Sequence, residues 1–184
     1  CFRKAIACNV KEFGENHYKT GMAYMNYAAF YSNIGDYRNS SGLYKKSLAI
    51  LLETLGGKHS YTSLCLKNIG ILYGQLNQHK QALNYFQKSL TAKIYSFNDS
   101  SVYVNPSVDV LPDMDLLDIL KLKAQAFERL AEQESREENL KAALATLELA
   151  ANFIERLRTG YLYEGSKLQL AAKEHEIYLS LVKI

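Results

Sequence analysis

The four histidines and three cysteines are the side chains best suited to proton transfer, nucleophilic attack or metal binding. His17 and His59 stand 42 residues apart, His79 and His175 are isolated, and Cys65 follows His59 by six positions. A nucleophile and its base must lie within hydrogen-bond reach, and six positions across a linker into a helix give no reason to expect it. The recurrence of His17 at His59 favours a structural role in a linker. Cys1, Cys8 and Cys65 are odd in number and widely spaced, so they form neither a disulfide framework nor a zinc-type pattern. Cys65 reads as small apolar packing. The acids Asp109, Asp113, Asp115 and Asp118 lack the glycine and closing glutamate of a calcium loop, and helix capping accounts for them better. No glycine-rich phosphate loop is present. The expectation is a segment with no catalytic residue, no metal ligand and no cofactor.

The elements carrying these residues are repeated. Residues 14–55 and 56–97, aligned without gaps, share eight identities: Gly14/Gly56, His17/His59, Thr20/Thr62, Asn26/Asn68, Tyr31/Tyr73, Lys46/Lys88, Ser47/Ser89 and Leu48/Leu90. Roughly two or three would arise by chance from ordinary composition. Most other pairs exchange like for like, as in Ala28/Gly70 and Tyr44/Phe86. A period of this length marks stacked units that cannot bury their apolar faces alone. Phe2-Arg3-Lys4-Ala5-Ile6 sits one period before Tyr44-Lys45-Lys46-Ser47-Leu48. The chain is therefore expected to open on the second helix of a truncated unit, and both ends read as cut from a longer protein.

Within each unit the apolar spacing is helical. Tyr24, Tyr27, Ala28, Tyr31 and Ile34 form a 3–4 spaced stripe, with Thr20 expected to cap it and Gly35-Asp36 to stop it. A second helix from Tyr37 carries Ser40, Tyr44, Ser47, Leu48 and Leu51. Both prolines, Pro106 and Pro112, fall in 98–112, which reads as an insertion loop with a short extended piece at Val102–Val104. A degenerate hairpin over 113–157 follows. A break at Thr159-Gly160 and a final helix from about Tyr161 to Ile184 complete 113–184, which continues the array.

Ala28/Gly70, Tyr31/Tyr73, Ser40/Ala82, Tyr44/Phe86, Ser47/Ser89 and the Gly-x-x-His linker resemble tetratricopeptide repeats, specifically the 42-residue variety of kinesin light chain. The resemblance implies an all-α superhelix, a right-handed solenoid of antiparallel helix pairs. Ser40 and Ser47 depart from the usual alanines, and the linker prolines are absent. A second resemblance covers Leu120 to Tyr178. With Leu147-Glu148-Leu149-Ala150 and Arg158-x-x-Tyr161-Leu162-x-Glu164-Gly165-Ser166-Lys167, it looks like the helical region of bacterial repeat proteins ending in a CHAT domain, a caspase-like peptidase module. It implies that a regulated peptidase lies beyond Ile184.

In such a stack the first helix of each pair lines a concave side. The candidate peptide-binding residues are Met22, Met25, Asn26 and Asn33 on one first helix, and Lys67, Asn68, Ile71 and Gln75 on the next. Asparagine is unfavourable inside a helix, yet Asn26 and Asn68 recur at mid-helix. Their amides offer donor and acceptor together. Two roles fit equally: gripping a peptide backbone, or bonding to a neighbouring helix. Met25 also fits the core stripe.

Charge divides along the chain. Residues 1–97 hold 12 Lys+Arg against 4 Asp+Glu, a net of +8, while 98–184 hold 10 against 15, a net of −5. The basic, tyrosine-rich half raises nucleic-acid binding as a lower-ranked reading, but its tyrosines lie on core stripes. No run of about 18 apolar residues exists to span a membrane. The leading expectation is a cytoplasmic interaction scaffold. It binds a protein or peptide ligand, or a downstream domain of the same polypeptide.

Overall fold

Each linker of the repeat ends on a histidine that starts the next helix. The computed structural model describes residues 2–160 and 164–183. His17 is extended (φ −122°, ψ 141°), and its Nδ1 accepts from the Lys19 amide at 3.3 Å, opening α2 (Tyr18–Asn33). His59 repeats this with the Tyr61 amide at 3.1 Å, opening α4 (Ser60–Gln75). Thr20 does not cap α2 as expected, because the helix starts two residues before it. Its hydroxyl instead donates to the Gly14 carbonyl at 2.8 Å, and Thr62 donates to Gly56 at 2.8 Å. The recurring threonine pins the linker back onto the first turn.

The helix ends repeat as well. Asp36 N–H donates to the Tyr31 carbonyl, and Gln78 N–H to the Tyr73 carbonyl, both at 2.9 Å. These six-to-one bonds satisfy carbonyls left over at a helix end, and they need a left-handed residue between. Gly35 (φ 80°) supplies it in the first unit, and Asn77 (φ 56°), one period later, in the second. Asparagine is the residue best able to stand in for glycine there.

Helices α1 (Phe2–Phe13), α2, α3 (Tyr37–Leu55), α4 and α5 (His79–Lys93) follow one another in one compact unit, residues 1–98. Consecutive helices pack together, and α2 also touches α4. Met25, Ala28, Tyr44, Leu51, Cys65, Ile69 and Leu72 form one buried cluster. Burying each large aliphatic or aromatic side chain stabilises the fold by about 1.5–3 kcal/mol. Small residues sit where helices cross closely: a Cβ added to Gly70 would lie 2.6 Å from the Phe86 ring.

The second compact unit, residues 99–184, holds α6 (Met114–Ala131), α7 (Arg136–Gly160) and α8 (Glu164–Lys183). Asp113 caps α6, its carboxylate accepting from the Leu116 amide at 2.8 Å. The other acids do different work: Asp118 pairs with Lys173 of α8, and Asp109 accepts from Ser107. Val102–Val104 is not extended, since Val104 N–H closes a turn onto the Ser101 carbonyl at 3.2 Å. Helix α7 includes Thr159 and ends at Gly160, the second residue of the expected Thr159-Gly160 break. The expected start of the last helix at Tyr161, and Tyr161 and Leu162 of the second resemblance, lie outside the described residues.

Among the described residues all regular structure is α-helical, as expected for an all-α helical repeat.

Candidate peptide-binding groove

Met22 and Asn26 project from α2 beside α1, where Phe2, Ala5 and Asn9 face them across a groove of about 480 Å³. Lys19 and Ala23 complete its lining. Asn9 ties the walls together, its amide donating to the Lys19 carbonyl at 3.2 Å. The Lys19 ammonium lies 4.0 Å from the centroid of the Phe13 ring. At one end Phe2 stacks on Tyr27, and Arg3 donates to the Tyr27 hydroxyl at 3.3 Å. The Tyr27 and Tyr31 hydroxyls share a hydrogen bond of 2.9 Å, which holds the Tyr27 phenol below its usual range. The result is an apolar trough with the Asn26 amide exposed at its wall.

The remaining expected contact residues divide by burial. Met25 is 2% exposed inside the main cluster, so its assignment to a ligand surface is corrected to core. The helical stripe puts it one turn from Ala28, in a cluster with residues of α3 and α4 and not in the groove lining. Lys67, its counterpart 42 residues on, is 9% exposed, so it too is corrected: a residue this buried offers a ligand little surface. Asn68 and Ile71 are half-buried, and Asn33 and Gln75 are exposed. Gln75 accepts from the Ser32 hydroxyl at 2.5 Å, a bond between the two first helices. None of the α4 residues lines the α1–α2 groove.

Phe2, Ala5 and Asn9 were missed as site residues. A signal for them existed: they stand one period before Tyr44, Ser47 and Leu51, which pack against or near α2 in the next unit. Cys65 is fully buried, burial pushes its thiol up to about 11, and its Sγ contacts Ser47 Oγ at 3.6 Å.

Paired helices with the same caps, the same linker bonds and the same small-on-large crossings decide the class of the repeated unit. Residues 19–94 match the tetratricopeptide repeat family. Such repeats generally mediate contacts between proteins and are typically non-catalytic. The chain is also similar to a solved structure described as BtubC (BKLC) from P. vanneervenii, at 16% identity and a TM-score of 0.62. That alignment covers 89% of this chain and 57% of the other, so this chain spans a little over half of that protein's length. At this identity the likeness speaks for the fold alone. No curated protein matches the chain. No described helix is long and apolar enough to cross a membrane.

Proposed function

We propose that the chain is an interaction scaffold that holds a peptide, or a domain of the same or another polypeptide, in the groove between α1 and the first helix α2 of its tetratricopeptide-like unit. The observation that carries this is the α1–α2 groove: its apolar floor from Phe2, Ala5 and Met22 is bordered by the exposed Asn26 amide. An apolar trough with a few placed polar groups is the usual form of a binding site. Asn26 offers a donor and an acceptor to a backbone, and Met22 supplies a flexible apolar contact. Asn68, Ile71, Asn33 and Gln75 extend the same role along α2 and α4. A domain of the same polypeptide is the arrangement that the resemblance of Leu120–Tyr178 implies.

The test is selection of binders from a displayed random-peptide library. Met22→Glu and Asn26→Ala should each weaken the selected peptides tenfold or more while leaving the melting temperature unchanged. Binders indifferent to both substitutions would remove the groove from the account.

A further inference from the structure

Lys123 is a fully buried lysine on α6, and its ammonium is spent on the segment that precedes the helix. It donates to the Val104 carbonyl at 3.0 Å and to the Asn105 side-chain oxygen at 2.9 Å. Further along, Arg156 of α7 donates to the Val108 carbonyl and, at 2.8 Å, to the Val110 carbonyl. Tyr103 packs its ring on Phe127 and donates to Asn139, while Asn105 donates to Thr146 at 3.1 Å. Residues 103–110 thus lie along α6 and α7 as the fastened stretch of a strap, residues 99–112, held by Lys123 and Arg156 through the Val104, Val108 and Val110 carbonyls and the Asn105 side chain. The strap contains no helix or strand to hold it otherwise.

A fastening of this kind depends on where the lysine is when the strap lifts. Closed, the Lys123 side chain is out of water, with the Val104 carbonyl and the Asn105 side-chain oxygen among its acceptors. Open, it is hydrated. Hydration favours the charged form more than the closed site does. Burial lowers the closed-state Lys123 to about 7, against an ordinary 10.5, and Asp99 of the strap partly offsets this. The other side chains fastening the strap from α7, Asn139 and Thr146, are uncharged, and Arg156 acts further along. From α8, which also packs on α6, Glu176 and Lys173 pair with Lys121 and Asp118.

We propose that residues 99–112 are a strap latched to the α6–α7 hairpin by Lys123, which opens more readily as pH falls from mildly alkaline towards neutral. Between the two ionisations the open form binds one more proton than the closed form, so each fall in pH favours opening. Once the closed form is protonated too, the effect levels off.

The experiment is amide hydrogen exchange on the whole chain at pH 7 and pH 9, corrected for intrinsic exchange, with α6 amides as the folding control. The strap's opening constant should be about 50-fold larger at pH 7 than at pH 9, with little further change at pH 6. In Lys123→Met the constant should be the same at both values. Equal opening of the native strap at pH 7 and 9, or a pH response that survives Lys123→Met, would overturn the latch. If that variant does not fold, the native comparison alone decides. Asn105→Ala, which removes one acceptor but keeps the lysine, should raise opening at both pH values.

Discussion

The Ser47 hydroxyl, buried on α3, donates to the Gly21 carbonyl of α2 at 2.8 Å, and Ser89 donates to Ser63 one period later at the same distance. Ser47 and Ser40 are the positions where this unit departs from the alanine usual in the repeats it resembles. The Ser47 hydroxyl is tolerated because a helix carbonyl across the crossing is close enough to accept it. Ser40 is the contrasting case, since its Oγ is buried with no hydrogen-bond partner. Replacing Ser47 with alanine should therefore lower stability by about 1 kcal/mol, a typical net hydrogen-bond contribution. Ser40→Ala, the residue already present as Ala82, should raise it by up to about 1 kcal/mol. Urea unfolding of the two variants should shift the midpoint in opposite directions; a shared direction would contradict the buried geometry.

Among the described glycines, Gly70 has the closest neighbour. Alanine there gains about 1 kcal/mol in helix propensity, yet its Cβ would meet Phe86 at 2.6 Å. Overpacking of this kind costs about 1–3 kcal/mol. Gly70→Ala should destabilise despite better propensity, and adding Phe86→Leu should return part of the loss. A more stable single variant would show that the ring moves aside freely.

The linker threonine predicts a conserved cost in both units. Thr62 is fully buried and spends its hydroxyl on Gly56. Thr62→Val keeps the shape and removes the donor, so about 1 kcal/mol should be lost. His59→Asp should be tolerated and His59→Ala should cost about 0.5–2 kcal/mol, as expected of a helix cap. Thermal melts of the three variants check both statements.

Cys8 is exposed and Cys65 buried, with the Cys65 thiol pushed up to about 11. In the native protein at pH 8 a thiol reagent should modify Cys8 promptly and Cys65 at the rate of unfolding. The folded form keeps its proton where the unfolded thiol loses it, so this group's contribution falls as pH rises from about 9 to 11. Cys65→Ala should remove that slope. Prompt labelling of Cys65 in folded protein would sink the assignment.

The repeat was legible because local rules and burial agree. Helix stripes, the glycine stop and its asparagine substitute each depend on neighbours a few positions away. Less was legible where a side chain's partner lies far along the chain. Thr20 looked like a cap, but the competing acceptor, Gly14, becomes available only once His17 has started the helix. Met25 and Met22 are three residues apart and chemically identical, yet one is core and the other lines a groove. No pattern of hydropathy separates them without knowing which helix lies on which side.

By itself the amino-acid order determined the period and the helices, since these follow from spacing and residue type. The tertiary structure alone decided which lysine is exposed, which asparagine borders a trough and what fastens the proline-containing segment. Lys67 and Lys123 are both buried, and the Lys123 side chain finds acceptors eighteen and nineteen residues away. Charge is a property of a residue, whereas its cost and its use depend on the solvent that folding removes.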